Sequence, residues 1–315
     1  MQPHALRYPS PPPPDAPRGA VIAIGTFDGV HRGHRRLIAE AVALAEARGV
    51  PAYVFTFVEH PRSVLRPESP VSLLTPWDEK LCRLEGNGLA GVFATHFTQA
   101  FSKLTPEAFV REVLVAQLAV TAVVTGFNFR FGHRQAGTPE RLVELGAEYG
   151  FPVTVVPPVE DDAGVISSSR LRALVEVGEV GMAGGLLGYA YTLRGEVVHG
   201  DKRGRTIGFP TANVAVPVDK LLPAFGVYAC WAHMGSERFP AVLNVGKRPT
   251  FDGVRLQVEA HLLEGGQDLY GQTLALELVS RLRGEQAFAG VDALVAQIGH
   301  DCDAARAQLA GGVPS

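Results

Sequence analysis

At 315 residues the chain exceeds what one compact core usually takes, which sets the expectation at two domains. Hydrophobic residues make up 46% of it, ample for ordinary globular cores, and a formal net charge of -3 excludes whole-chain attraction to DNA, RNA or anionic lipid while leaving local basic clusters able to grip a small phosphate ligand. Three scattered cysteines, Cys82, Cys230 and Cys302, make neither a disulfide framework nor a CxxC metal site, and no uninterrupted apolar stretch reaches membrane length. Residues 1–19, with a proline run at 11–14, lack the apolar core of a signal peptide and read as a disordered or polyproline arm. The expectation is a soluble protein of a reducing cytoplasm.

Up to about residue 180, apolar strands alternate with helical patterns, the sequence sign of βαβ units around a parallel sheet. Strands are expected at 20–24, 52–57, 92–95, 121–125 and 153–156. Leu37, Ala41, Leu44 and Ala45 share one helical face, and Phe109, Val113 and Leu114 share another after Pro106. Glycines at 181, 184, 185 and 188 then crowd a short span, which sets a domain boundary at 185/186. Beyond it, β-rich segments at 191–198, 227–232, 239–244, 256–263 and 273–280 follow without intervening helices and suggest a small antiparallel barrel. Leu294, Ile298, Cys302 and Ala305 recur at helical spacing within 291–309, as befits a helix closing the barrel.

Residues 25–34, GTFDGVHRGH, carry the most information. A short apolar strand empties into a Gly-rich turn at the carboxyl edge of the expected sheet, where ligands sit in open α/β folds. Gly25, Gly29 and Gly33 let backbone N–H groups approach an anion, and a helix starting near Gly33 adds the positive end of its dipole. Phe27 and Asp28 belong to the same nucleotide-binding string. His31 and His34, one helical turn apart, can aim two imidazoles at the same phosphate oxygens. The HxGH spacing is similar to the adenylyl-transfer signature of the nucleotidyltransferases. Histidines at a helix start also serve as caps or surface residues, whereas zinc lacks the further ligands it needs.

Three more patches fit this motif. FVEHP at 57–61 puts His60 after a strand, either at the sheet's carboxyl edge or as a turn histidine fixed by Pro61; both readings stay open. GFNFRFG at 126–132 offers Asn128 for hydrogen bonding among aromatics that belong to the core. ISSSRLR at 166–172 sets Ser168, Ser169 and Arg172 at a helix start, which reads as a serine cap with solvated arginines or as a seat for the outer phosphates of ATP. When the nucleophile is itself a phosphate, adenylyl transfer needs alignment and charge stabilisation rather than a strong base. His31 and His34 supply donors to that centre, Ser168 and Arg172 hold the departing pyrophosphate, and Mg²⁺ bridges phosphate oxygens.

In the second half, GEVVHGDKRGRTIGFPTANV at 195–214 makes a flexible arch of Gly200, Gly204 and Gly208, with Lys202, Arg203 and Arg205 supplying charge for a triphosphate. Thr211 and Asn213, two apart in an extended strand, point to one face and offer Mg²⁺ hard-oxygen ligands. NVGKRPTF at 244–251 is a second polar turn, with Lys247 and Arg248. VEAHLL at 258–263 alternates, so Glu259 and His261 share one side; Glu259 is either a solvated strand carboxylate or the group that accepts a hydroxyl proton in a kinase reaction.

With these runs joined by FGVYA, LYG and RGEQAF, the chain closely resembles the bifunctional bacterial FAD synthetases from residue 20 to about 306. The resemblance implies an FMN adenylyltransferase domain of nucleotidyltransferase fold at 20–185 and a riboflavin kinase domain at 186–315. It further implies ATP as co-substrate with Mg²⁺, and riboflavin and FMN as small-molecule partners; charge and hydropathy set no nucleic acid or membrane beside them, and transient self-association stays open. His31, His34, Asn128, Ser168, Ser169 and Arg172 match the adenylyltransferase motifs; Thr211 and Asn213 match the Mg²⁺ and ATP residues of the kinase, and Glu259 its catalytic base. Ser169 stands where the family usually has Thr, Thr26 where it commonly has Asn, and Glu264 with Gly265 replaces an Asp-aromatic pair. The rival readings are a chain retaining only one of the two activities, and a flavin or nucleotide sensor that binds without turnover.

Overall fold

The computed structural model describes residues 2–10, 16–200, 203–250, 253–264 and 269–311. The proline run 11–14, Lys202 and Gly265 lie outside them. The chain divides into two compact units, Met1–Ser168 and Ser169–Ser315.

In the first unit the elements run β1 (Pro3–Leu6), β2 (Val21–Ile24), α1 (Arg32–Arg48), β3 (Ala52–Phe57), α2 (Pro61–Leu65), α3 (Trp77–Leu84), β4 (Gly91–Thr95) and α4 (Pro106–Ala108). A π-helical stretch, Phe109–Gln117, continues α4; β5 (Ala122–Gly126), α5 (Pro139–Tyr149), β6 (Val153–Val156) and a small hairpin of β7 (Glu160–Asp161) and β8 (Gly164–Val165) follow. The helix starts are written locally. Thr105 and Thr138 cap α4 and α5 by accepting the N–H of Ala108 and Arg141, each followed by a proline at the first helical position, where no backbone donor is missed.

The sheet order is β1-β4-β3-β2-β5-β6, with every pairing parallel. From β2 the chain builds outward through β3 and β4, then crosses back to place β5 on the other flank. The order therefore reverses between β2 and β5, and a crevice opens beyond their carboxyl ends. Both faces are covered, as a doubly wound sheet requires. Val21 and Ala23 of β2 pack with Leu37, Ile38 and Ala41 of α1, whereas Ile22 and Ile24 pack on the other face with Val113, Leu114 and Leu142. Residues 3–6 correct the expectation of an unstructured arm: they form β1, paired in register with β4, because His4 packs its ring against Tyr53 and Phe93 and Leu6 is 2% exposed.

The second unit holds α6 (Ser168–Val177), α7 (Val180–Leu187), β9 (Thr192–Val198), α8 (Arg203–Thr206), β10 (Ala212–Ala215), β11 (Gly226–Met234), β12 (Glu237–Thr250), β13 (Gly253–Leu262), β14 (Thr273–Arg283) and α9 (Val291–Ala310). Six strands close an antiparallel barrel in the order β10-β13-β12-β11-β14-β9. The sixth strand is β10, which begins within the extended PTAN run and continues to Ala215. The glycine-crowded span is the helix α7, with Val180, Ala183, Leu186 and Leu187 buried. A Cβ on Gly181 would stand 3.2 Å from Val279 O, so the missing side chain is what lets α7 approach β14. The units part at Ser168/Ser169, ahead of 185/186, because α6 travels with the barrel: Ala224 N–H donates to Val175 O, and Arg281 donates to Val177 O.

The closing helix α9 lies against the barrel through Cys302, Ala305 and Leu309, which meet Val227, Ala229 and Val242. An ion pair fixes its register. Arg283 Nε and Nη2 donate to the Asp301 carboxylate at 2.8–3.0 Å, and Gln297 donates to its Oδ1 at 2.9 Å. With Asp301 5% exposed, Asp301→Ala leaves a largely buried guanidinium uncompensated, and the second unit is expected to lose about 3–5 kcal/mol. Denaturant unfolding in a Trp77→Phe background, where Trp231 is the remaining indole, measures it; an unchanged midpoint would show the pair to be idle.

Candidate functional site

In the first unit the loop after β2 is held in an unusual backbone conformation. Phe27 (φ 51°), Gly29 (φ 88°) and Val30 (φ 35°) all lie in the left-handed region, which is ordinary for glycine and strained for a phenylalanine and a valine. Each strained residue costs about 1–3 kcal/mol, and full burial of each side chain returns about 1.5–3 kcal/mol. Phe27 and Val30 are both 0% exposed, so these terms nearly cancel and something further must hold the turn.

That something is Asp28. Its carboxylate, 1% exposed, accepts the N–H groups of Leu74 at 3.2 Å and Thr75 at 3.0 Å, while Gly29 N–H donates to Thr75 Oγ1 at 2.9 Å. Its carbonyl accepts from Ser168 Oγ at 2.9 Å. Four hydrogen bonds, two of them to a charged group, outweigh the strain. The side chains of Phe27 and Asp28 are sealed inside the fold, where they shape the loop. These contacts correct one expectation. The N–H groups of Gly25 and Gly29 are not offered to an anion, since they are bonded to Phe55 O at 3.3 Å and to Thr75 Oγ1.

The loop delivers the two histidines to the start of α1. His31 is its N-cap: Nδ1 accepts the N–H of His34 at 3.3 Å. A backbone N–H can only donate, so Nδ1 is unprotonated and neutral His31 carries its proton on Nε2. Gly33 has a steric reason, because a Cβ there would stand 3.1 Å from the His31 ring. His34 stacks on His31 with ring centroids 3.7 Å apart at 18°, and Phe27 backs it at 5.2 Å. Its Nδ1 is buried without a hydrogen-bond partner, and since an unmet acceptor is tolerated better than an unmet N–H, the proton belongs on Nε2 here too. Burial lowers the pKa of His31 to about 4 despite nearby Asp28; burial, then the charges of His31 and Lys80, lower that of His34. At neutral pH the pair is two stacked, uncharged N–H donors at a helix N-terminus.

Asn128 is exposed in the turn after β5, and Ser168 begins α6 with its hydroxyl donating to Asp28 O. Ser169 and Arg172 follow on the first turns of α6 and belong to the second compact unit. His60 is a turn histidine: its Nδ1 accepts the N–H of Arg62 at 3.2 Å and caps α2. Two residues escaped the sequence reading. Thr75 relays Gly29 to Asp28, and Lys80, 5% exposed, donates to Phe57 O at 3.0 Å. Burial lowers the Lys80 ammonium to about 8, against the pull of Asp28 and Glu59. A threonine in a loop and a lysine beside Asp78 and Glu79 give no sign of burial in one dimension.

In the second unit the alternation expected from sequence holds. Ala212 and Val214 of β10, and Val258 and Ala260 of β13, are buried, which turns Thr211, Asn213, Glu259 and His261 to the outer face. The register sets Asn213 directly opposite Glu259, and Glu259 directly opposite Asn244 on β12, so three polar groups form one rung across three strands. Gln257, not foreseen, joins them: Nε2 donates to Asn213 Oδ1 at 3.0 Å and to Glu259 Oε1 at 2.7 Å. The arch packs down on this face. A Cβ on Gly200 would overlap the Asn213 carboxamide, and one on Gly204 would stand 3.3 Å from Thr211 Oγ1. His261 Nδ1–H donates to Pro210 O at 2.8 Å and anchors the strand entry. Arg205 is exposed on α8, and Gly208 ends the arch at φ 86°. The donor set, a hydroxyl and a carboxamide with no His, Cys, Asp and Glu cluster among the described residues, suits a hard cation that arrives with phosphate rather than a dedicated protein cage.

Comparison with known proteins finds two family models on the chain. The family model described as FAD synthetase matches residues 14–170, and that described as riboflavin kinase matches 187–309. The chain is 37% identical over 287 residues to the bifunctional riboflavin kinase/FMN adenylyltransferase of Bacillus subtilis, covering 90% of each. It is 39% identical over 284 residues to the protein of the same description from Escherichia coli K12, again covering 90% of each. A crystal structure described as a macrolide-efflux protein from Streptococcus pneumoniae superposes with a TM-score of 0.87 at 33% identity, covering 96% of this chain and 99% of that one. Among the described residues here, no helix is long and apolar enough to cross a membrane.

The histidine pair carries a pH signature. Because the folded-state pKa of His31 lies below its ordinary 6.5, the unfolded chain takes up the proton first, so stability is whole above pH 6.5 and is lost as pH falls toward about 4. The difference is worth about 3 kcal/mol for His31, and His34 adds loss in the same direction. His31→Asn keeps a capping acceptor and removes one titration, so the drop in unfolding midpoint of the first unit between about pH 7 and about pH 5 is expected to shrink. A variant as acid-sensitive as its parent would refute the assignment.

Proposed function

The chain belongs to the bifunctional riboflavin kinase/FMN adenylyltransferase family, and from that premise we propose how its residues divide two phosphate transfers. It is an enzyme of FAD synthesis: riboflavin is phosphorylated to FMN in the C-terminal portion, and FMN receives an adenylyl group in the N-terminal portion, giving FAD and pyrophosphate. We set the portions at 20–185 and 186–315, since one family match ends at 170 and the other begins at 187. ATP is the donor in both.

For adenylyl transfer, the attacking FMN phosphate oxygen is already anionic, so the site must bring two anions together and stabilise charge on the α-phosphate. The stacked His31–His34 pair is the observation that carries this assignment. Two neutral Nε2–H donors, fixed by capping and burial, need no reorganisation as charge develops. Asn128, Ser168, Ser169 and Arg172 are assigned to nucleotide binding in this step on the motif resemblance, as an amide, hydroxyls and a guanidinium suited to phosphate. Gly25, Phe27, Asp28 and Gly29 act by holding the loop.

For phosphorylation, Glu259 accepts the riboflavin hydroxyl proton as the γ-phosphoryl group transfers. Thr211 and Asn213 hold Mg²⁺, and Gly200, Lys202, Arg205 and Gly208 receive the triphosphate. Mg²⁺ held there would supply positive charge to neutralise the phosphates of ATP. The support is the rung Asn213–Glu259, which brings a hard-oxygen donor beside a carboxylate under a glycine arch. A cytoplasmic location accords with three free cysteines.

With riboflavin, ATP and Mg²⁺ supplied, His31→Ala or His34→Ala is expected to let FMN accumulate, with FAD formation slowed on the order of 100–1000-fold, the usual cost of one transition-state donor. Glu259→Ala is expected to slow FMN formation about 100–10,000-fold and leave added FMN convertible to FAD. Chromatographic separation of the flavins reads both; a single folded variant that lost both reactions would overturn the division.

A further inference from the structure

Resting on the kinase assignments of Asn213 and Glu259, we propose that Gln257 is a positioning residue of riboflavin phosphorylation, whose carboxamide NH₂ locks the metal-side amide and the proton-accepting carboxylate into one fixed geometry. A glutamine on the outer face of a strand reads at first as a solvated residue. Three observations say otherwise.

The first is hydrogen-bond accounting. A carboxamide nitrogen has two hydrogens, and Gln257 Nε2 meets two acceptors, Asn213 Oδ1 at 3.0 Å and Glu259 Oε1 at 2.7 Å. Both donors are spent on the two groups assigned to the reaction, and the shorter bond goes to the charged one. The second is register. Asn213 and Glu259 face each other across β10 and β13, while Gln257 lies two positions before Glu259 on the same face, diagonal to Asn213, a gap that a long side chain bridges. The third is the other side of Asn213. Its Nδ2 lies against the backbone of Gly200, where a Cβ would overlap it. The Glu259 carboxylate can only accept, which turns Gln257 Nε2 toward it and therefore Asn213 Oδ1 toward Gln257, with Nδ2 toward the arch. An amide oxygen has a second lone pair, so this bond leaves Asn213 able to take a hard cation.

Such supporting hydrogen bonds typically govern 10–100-fold in metal affinity or activity. Gln257→Leu keeps the bulk and removes both donors; Gln257→Glu turns acceptor oxygens toward two acceptors. Two readouts on the full chain test the role. Calorimetry of Mg²⁺-ADP binding comes first, with Asn213→Ala identifying the component that belongs to the second unit. Gln257→Leu is expected to weaken that component about tenfold, and Gln257→Glu more. Kinetics of riboflavin phosphorylation come second, and the expected loss in Gln257→Leu is about 10–100-fold in kcat with the KM for riboflavin unchanged. FMN adenylylation by the same sample reports that the first unit is intact, and the binding constant does not depend on the fraction of protein folded.

Wild-type Mg²⁺-ADP affinity together with wild-type kcat in Gln257→Leu overturns the proposal, as does a loss confined to KM. Glu259→Gln, assayed in parallel, separates this from failure of the underlying assignment: if that variant phosphorylates riboflavin at the parental rate, it is the role of Glu259 that falls. If Glu259→Gln is inactive while Gln257→Leu is unaffected, the role of Gln257 alone falls.

Discussion

The buried carboxylate of Asp28 is the fixed point that holds the loop between β2 and α1. The chain between β2 and α1 runs through left-handed backbone at Phe27 and Val30, a path that burial alone barely offsets. Hydrogen bonds from Leu74 and Thr75, with Ser168 on the carbonyl, draw two stretches distant in sequence onto this one residue. Only with the turn so held do His31 and His34 emerge stacked at the first turn of α1. The placement of the two histidines proposed for catalysis is the by-product of a structural clamp, and the strained backbone lies directly before them, as it commonly does at functional loops.

The barrel reaches the same end by register instead of strain. Antiparallel pairing sets Asn213 opposite Glu259, and strand alternation turns both outward while Ala212, Val214, Val258 and Ala260 fill the interior. A one-residue slip in β10 or β13 would send one partner into the core, so the hydrophobic pattern that stabilises the barrel also specifies the pairing of reactive groups. Arg283 and Asp301 fasten α9 to the last strand and complete the closure. In both units the residues that set the geometry, Asp28 and Gln257, are not the ones assigned to touch substrate.

Much of this was legible in one dimension because its causes are local. The alternation of apolar strands with the helical faces of Leu37–Ala41 and Val113–Leu114 announced the doubly wound sheet, and period-two patterning put Glu259 with His261 and Thr211 with Asn213 on common faces. What stayed hidden depends on long-range partners. Thr75 matters because it lies against Gly29, and Lys80 because it is buried beside Phe57 O. Gln257 matters only through its register with β10. The Gly-rich turn was read as an anion cradle, but its N–H groups answer to Phe55 and Thr75, partners that appear once the sheet has formed. The arm before β2 misled for a similar reason: four residues make a strand when an edge such as β4 is waiting for them.

The central claim is that each portion performs its own phosphate chemistry with its own residues, so that the two reactions can be carried by different chains. Mixing the His31→Ala chain with the Glu259→Ala chain tests this most directly, because neither alone is expected to carry riboflavin through to FAD. Supplied with riboflavin, ATP and Mg²⁺, the mixture is predicted to accumulate FMN first and then FAD. A mixture of two folded chains that makes FMN but never FAD, although the Glu259→Ala chain converts added FMN, would contradict it.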